Sequence, residues 1–227
     1  MIILPNRRRA SHGGHGGSSG GGNEFTANYN DFTYVDPSSK ISAQDATSIT
    51  TISCTDQIVL YGYQDMGADY FNFAGTGVIT IDYDFNMAGG IKNGNHYTGL
   101  GDSVAGFQTA TNMCTGAMFA NWGTSVPRLL YGYSLGVFKG SSTPLGVQGT
   151  WYYGRVTLDA TGGAGAGTYD LEVFSDSART TSLGSLTQVT GLTYPSGFRY
   201  AYCIDNGRNI AADRTMWGTL ANLKITW

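Results

Sequence analysis

An all-β fold, a two-sheet antiparallel jelly-roll β-sandwich with an extended N-terminal arm, is predicted by three features of the 227-residue sequence. The segment Trp151 to Gly184 alternates apolar and polar residues on either side of a Gly/Ala loop and has no helical period. The composition, with 34 glycines, 15 tyrosines and 10 phenylalanines beside only 13% charged residues, suits many short strands and tight turns rather than amphipathic helices. Alternating runs recur along the chain, whose length β-sandwiches reach as one domain.

In chain order, strands are expected at Gln57 to Tyr63, Gly77 to Phe85, Met113 to Ala120, Arg128 to Phe138, Thr150 to Leu158, Thr168 to Phe174, Gly197 to Ile204 and Leu220 to Trp227. In the second run Ile79, Ile81, Tyr83 and Phe85 share one face, which leaves Asp82 and Asp84 together on the other. In the fifth, Tyr152, Gly154, Val156 and Leu158 oppose Trp151, Tyr153, Arg155 and Thr157. In the sixth, Tyr169, Leu171 and Val173 oppose Asp170 and Glu172, so the fifth and sixth runs read as a half-buried antiparallel pair. The loop TGGAGAG between them is too flexible for a helix, and SDSARTTSLG after them is a turn-rich connection. The last run presents Ala221, Leu223, Ile225 and Trp227 as its buried face, with no C-terminal domain expected beyond it.

Residues 1–22 differ from the domain expected over 23–227. They hold Arg7, Arg8 and Arg9, no acidic residue, and a Gly/Ser run that cannot bury enough apolar surface to fold alone, and so read as a flexible basic arm. Four apolar residues and a proline before the arginines are too few for the core of a secretory signal, and no segment has the length of a membrane span. The net charge of −3 conceals an asymmetry, because the arm takes 3 of the 13 Lys/Arg and leaves 10 against all 16 Asp/Glu, a balance of −6. Cys54, Cys114 and Cys203 are odd in number and widely spaced, which suggests free buried thiols rather than disulfides or a zinc site. Cys203, on the face of Ala201, reads as a small residue packed between the sheets.

The pattern from Trp151 through Tyr169-Asp170-Leu171-Glu172-Val173, Ser175-Asp176-Ser177, Arg179-Thr180-Thr181 and Gly184, closed by Leu220-Ala221-Asn222-Leu223-Lys224-Ile225, resembles the laminin-G-like jelly rolls of the concanavalin A-like lectin/glucanase superfamily. The resemblance spans about residues 24 to 227 in layout and is sharpest in the last third. It implies two curved antiparallel sheets packed face to face. With its short apolar-Pro-basic start, Met1 to Arg9, the chain also resembles structural proteins of tailed bacteriophages.

Because that superfamily includes glycosidases, the carboxylates are candidate catalysts. Glycoside hydrolysis needs two carboxyls held about 5–10 Å apart. The chain has two glutamates, Glu24 at the arm's end and Glu172 on the polar face of its strand, and lacks the Glu-x-Asp-x-Glu strand signature of the glucanases. Asp82 and Asp84 have the right spacing to share a face but read as a solvent-facing polar stripe. His96, in GNHYTG, has no nucleophile pattern to join and reads as a loop residue. Asp205 and Asn206, with Gly207, are metal candidates of the calcium-loop kind, although Asn-Gly reads first as a tight turn; no metal or other cofactor is expected. His12 and His15 read as spacer.

Tyr61, Tyr63, Tyr131, Tyr133, Tyr152, Tyr153 and Trp122 are candidate stacking platforms, with Tyr131, Tyr133 and Trp122 taken as the glycan contact. Arg7, Arg8 and Arg9 could meet phosphates, but three arginines alone are a weak signal for nucleic acid; the alternative is an anchor, with Ile2, Ile3 and Leu4 filling a small apolar pocket on a neighbour while the arginines pair with its carboxylates. The expectation is therefore a non-enzymatic decoration or structural protein of a phage virion, made in the host cytoplasm. Its arm contacts other virion proteins of capsid or tail in a multi-copy assembly, its body offers contact with a host-surface glycan, and neither membrane nor nucleic acid is a partner. The alternatives are a free-standing carbohydrate-binding or adhesion module and a polysaccharide-cleaving enzyme.

Overall fold

A computed structural model describes residues 23–55, 58–91, 95–104, 113–119, 131–134, 137–140, 147–186, 188–206 and 215–227. Apart from a 3-10 turn at Tyr29–Asp31, the regular structure is all β. The first sheet orders its strands Ser182–Ser185, Gly167–Phe174, Trp151–Asp159, Val78–Ile91, Thr215–Thr226, Ser48–Thr51 and Ile41–Gln44. Glu24–Thr26 and Cys54–Thr55 add to Thr215–Thr226, and Val189–Leu192 adds to Gly167–Phe174. The second sheet runs Val137–Gly140, Tyr131–Ser134, Met113–Phe119, Asn95–Gly101, Tyr200–Asn206, Tyr61–Asp65 and Thr33–Val35. Among the described residues every pairing is antiparallel, and consecutive hairpin neighbours alternate with pairings between strands distant in sequence, such as Val78–Ile91 with Thr215–Thr226, as in a jelly roll.

The strands form where alternation lets one face be buried. Tyr152, Gly154, Val156 and Leu158 are buried and so are Tyr169, Leu171 and Val173, with Val156 set against Leu171 and Leu158 against Tyr169. Ile79, Ile81, Tyr83 and Phe85 face the same interior from Val78–Ile91. Leu100, Ala201 and Cys203 of the second sheet belong to the same core cluster, which places the core between the sheets. Gly154 is fixed by packing, since a Cβ there would run into the ring of Tyr83 on the adjoining strand. Asn23 and Trp227 exchange both backbone hydrogen bonds, at 2.7 and 3.0 Å, and bring the first and last described residues together.

Two expectations are corrected by register. Arg128 to Phe138 is a hairpin rather than one strand, because Tyr131–Ser134 folds back on Val137–Gly140 with Ser134 opposite Val137. In the last strand, Leu220 takes the place in the core expected for Ala221. Ala221 pairs with Asp84 and Lys224 with Asp82, so three residue steps are set against two, and the bulge at Asn222 (φ 51°) turns Leu220, Leu223 and Ile225 inward. A second bulge, between Tyr202 and Ile204, brings Ile204 into the core beside Cys203. Cys203 is buried as expected, and a Cβ on Gly62 would lie 2.8 Å from its sulfur. Burial pushes the thiols of Cys54, to about 12, and of Cys203 upward, so both stay protonated and inert.

Candidate functional site

The outward side of the first sheet carries three rows of side chains set by the register. Trp151 stands beside Asn86, Asn86 beside Thr219, and Thr219 beside Thr50. Two residues further along, Tyr153 stands beside Asp84. In the third row Glu172, Arg155, Asp82 and Lys224 follow one another on four adjacent strands, so the charge alternates in sign.

These groups are tightly engaged. Arg155 grips Asp82 with two parallel bonds, Nε to Oδ1 at 2.7 Å and Nη2 to Oδ2 at 2.9 Å. Arg179 donates from Nη2 to Oδ1 of Asp84 at 2.8 Å, and its Nε lies 3.4 Å from Oδ1 of Asp82. The amide of Asn222 donates to the other oxygen of Asp84 at 2.7 Å, while Lys224 pairs with Glu24 at 2.8 Å. Asp84 is only 8% exposed, so the expected solvated stripe is corrected: both aspartates face away from the core, but they are desolvated and paired.

Local chemistry explains how Arg179 and Asn222 arrive there. The carboxylate of Asp176 accepts the backbone N–H of Thr181 at 2.7 Å and of Thr180 at 3.2 Å, closing the turn that presents Arg179. Arg179 itself has φ 55°, and Asn222 supplies the bulge at φ 51°. Left-handed backbone costs on the order of 1–3 kcal/mol per non-glycine residue, less for Asn, and both residues direct their side chains at one carboxylate. Burial pushes the Asp84 carboxyl above its ordinary value, against the pull of Asn222 and Arg179. The hydrogen bond to Asp82 raises Arg155 still further into its charged range.

Around Asp84 a cleft of about 260 Å³ is lined by Thr26, Thr47, Asp82, Arg179, Asn222 and Lys224. Its charged lining residues balance, Asp82 and Asp84 against Arg179 and Lys224, and each is held in an ion pair. At the other end of the face Trp151 is 40% exposed. The segment before it is pinned, with the N–H of Gly149 donating to Met87 O at 2.8 Å and the Asn86 amide to Gly149 O at 2.9 Å. The arrangement offers an aromatic platform and a polar cleft, and it holds both aspartates in ion pairs.

The other sequence candidates are distributed as follows. Tyr153 is on this face, with the Arg179 guanidinium 5.9 Å from its ring centre, whereas Tyr152 is a core residue. Tyr61 and Tyr63 form a ladder on the second sheet, with Tyr63 5.8 Å from Tyr200 and 6.5 Å from Tyr202. Tyr131 and Tyr133 lie on a strand of that sheet, but their side chains lie outside the described residues, as do Trp122 and the arm residues Ile2, Ile3, Leu4, Arg7, Arg8 and Arg9. His96 is in the strand Asn95–Gly101, opposite Met118 and Asn206, not in a loop. Asp205 and Asn206 end the strand Tyr200–Asn206, with Asp205 2% exposed, while the Gly207 of the expected turn lies outside the described residues. Among the described residues no three His, Cys, Asp or Glu side chains group closely enough to hold a metal ion.

Arg179 and Asn222 were not singled out as site residues from sequence. A signal for Asn222 was present: Leu220 and Leu223 are three apart, which a strand can bury together only by inserting an extra residue.

The structure is similar to lectin II from Ulex europaeus, with a TM-score of 0.54 over 91% of this chain and 99% of that one, at 9% identity. It is similar also to lectin UEA-II complexed with galactose, with a TM-score of 0.52 over 91% and 99% of the two chains, at 10% identity. The chain thus shares the jelly-roll sandwich fold of these two lectins. No family model and no curated protein matches the sequence.

Proposed function

We propose that residues 23–227 form a non-enzymatic carbohydrate-recognition domain, carried on the particle of a tailed bacteriophage by residues 1–22. The observation that carries this reading is a lectin-like sandwich that exposes Trp151 on the same sheet face as the cleft around Asp84. Absence of catalysis is supported by the pairing of the most suitably spaced carboxylates, since Asp82 and Asp84 are each held by an arginine.

The virion assignment rests on the apolar-Pro-basic start and on an arm whose composition suits tethering better than folding. Made in the host cytoplasm, the chain joins other virion proteins through that arm. Repeated copies give weak single sites a useful combined affinity for a host-surface glycan.

The test compares the full chain with one lacking residues 1–22. Both fold and bind glycan arrays alike, but only the full chain decorates particles stripped of this protein. Full decoration by the truncated chain would move attachment to the sandwich and favour a free-standing adhesion module. Polysaccharide cleavage by either form would favour the enzyme.

A further inference from the structure

Resting on the carbohydrate reading above, we infer that the outward face of the first sheet is a sugar-contacting surface selective for uncharged saccharides, with one ring of a chain seated in the Asp84–Asn222–Lys224 cleft and another stacked on Trp151. A sugar hydroxyl both donates and accepts a hydrogen bond. It is matched by a wall that sets carboxylate acceptors beside amide and ammonium donors, as Asp84, Asn222 and Lys224 do here. Asp84 uses one bond on each oxygen for Arg179 and Asn222, and each oxygen keeps acceptor capacity toward the cleft.

The charge pattern sets the class of ligand. The fixed charges around the cleft cancel in pairs, so a uronate or sulfate gains no net attraction and meets Asp82 and Asp84, while a cation meets Arg179 and Lys224. A neutral ring brings no charge to desolvate.

Geometry sets its length. Trp151 and Tyr153 are two residues apart on one strand, so the tryptophan row lies about 7 Å from the row containing Asp84, and the cleft lies on neighbouring strands, a span that suits a chain of several rings rather than one ring. The surface is preformed: Trp151 is on a strand whose preceding loop is pinned to Asn86 and Met87, and the left-handed Arg179 and Asn222 lock the cleft wall. A preorganised surface loses little entropy when an oligosaccharide lands on it.

The experiment titrates the full chain, Trp151→Ala and Asn222→Gly with immobilised neutral oligosaccharides and with sulfated and uronate-containing counterparts, alongside melting curves and tryptophan fluorescence. Glycine keeps the left-handed backbone at position 222 and removes the side chain with its amide. Neutral chains should bind and perturb the fluorescence. Trp151→Ala should weaken binding roughly tenfold, as loss of an aromatic stacking contact does, without lowering the melting temperature. Asn222→Gly should weaken it several-fold, beyond any effect of melting at the assay temperature. Full affinity in both variants would overturn this surface while leaving the carbohydrate reading in place. Binding confined to the charged sugars would overturn the selectivity. A full chain that binds no saccharide would remove both readings together.

Discussion

Arg179 and Asp84, 95 residues apart in sequence, meet at 2.8 Å on the outward side of the first sheet, with both side chains nearly excluded from water. The pair ties the turn after Gly167–Phe174 to the central strand Val78–Ile91. Burying two charges is not by itself a gain, but removing one partner strands the other.

Arg179→Met should therefore destabilise the fold by about 3 kcal/mol, the low end for breaking a buried pair. Arg199→Met, which breaks an exposed pair with Asp65, should barely move the melting curve, because water and salt already screen that contact. Chemical denaturation of the two variants checks the contrast, and equal effects would show that the Asp84 node is no more than a surface contact.

The acidic groups should titrate in opposite directions from the ordinary carboxylate value near 3.9. Burial raises Asp84, whose neighbours are Asp82, Arg179 and Asn222; backbone N–H donors lower Asp45, through Thr47, and Asp176, through Thr181. A raised group contributes stability below its unfolded value and loses it as pH rises through its folded value. The lowered groups contribute above about pH 3.9 and lose that contribution as pH falls through their folded values. Acidification toward pH 4 should thus gain stability through Asp84, and further acidification should lose it through Asp45 and Asp176. Carboxyl-carbon NMR titration reads the three midpoints, and an Asp84 midpoint below that of Asp176 would contradict the burial argument.

Gly154→Ala should be more damaging than its single methyl suggests, because the added carbon must displace the fully buried ring of Tyr83. Overpacking of this kind costs about 1–3 kcal/mol. Ala at Gly75, where nothing lies within reach of the new carbon, is the control. Thermal melting of both variants decides it.

Alternation made the fold class and the pair Trp151–Asp159 with Gly167–Phe174 legible, since the period-two pattern there is unbroken and the loop between them short. It misplaced Ala221 because a bulge shifts the phase midway along a strand, and it merged the hairpin at Tyr131–Gly140 because nothing in the alternation marks where a strand reverses. The polar strands Ile41–Gln44 and Ser48–Thr51 escaped notice for want of an apolar face. Of the outward face, Asp82 and Asp84 could be placed side by side, but their partners Arg155 and Arg179 come from other strands and turns, and only the register of the sheet brings them together.

Glu172→Gln should leave carbohydrate binding and melting unchanged, since Glu172 stands on the outward face opposite Arg155, away from the cleft. Loss of a measurable polysaccharide-cleaving activity in this variant would establish catalysis instead.

Calcium should not shift the melting temperature, because Asp205 and Asn206 lie in the strand Tyr200–Asn206 and Asp205 is buried there. A bound ion at a hundred times its dissociation constant would add about 2.7 kcal/mol, an effect that differential scanning calorimetry with and without chelator would reveal.

The closure of Asn23 on Trp227 determines how the domain responds to being pulled. A load applied through the residues before Asn23 enters the sheet at its rim, beside Trp227. It bears first on Glu24, Phe25 and Thr26, whose rungs to Thr226, Ile225 and Lys224 open in succession, as in a zipper. The long strand Val78–Ile91, held by neighbours on both sides, is bypassed. Under tension the protein gives up its outermost ribbon, and the Phe25–Phe71 ring contact with it, before the two sheets separate.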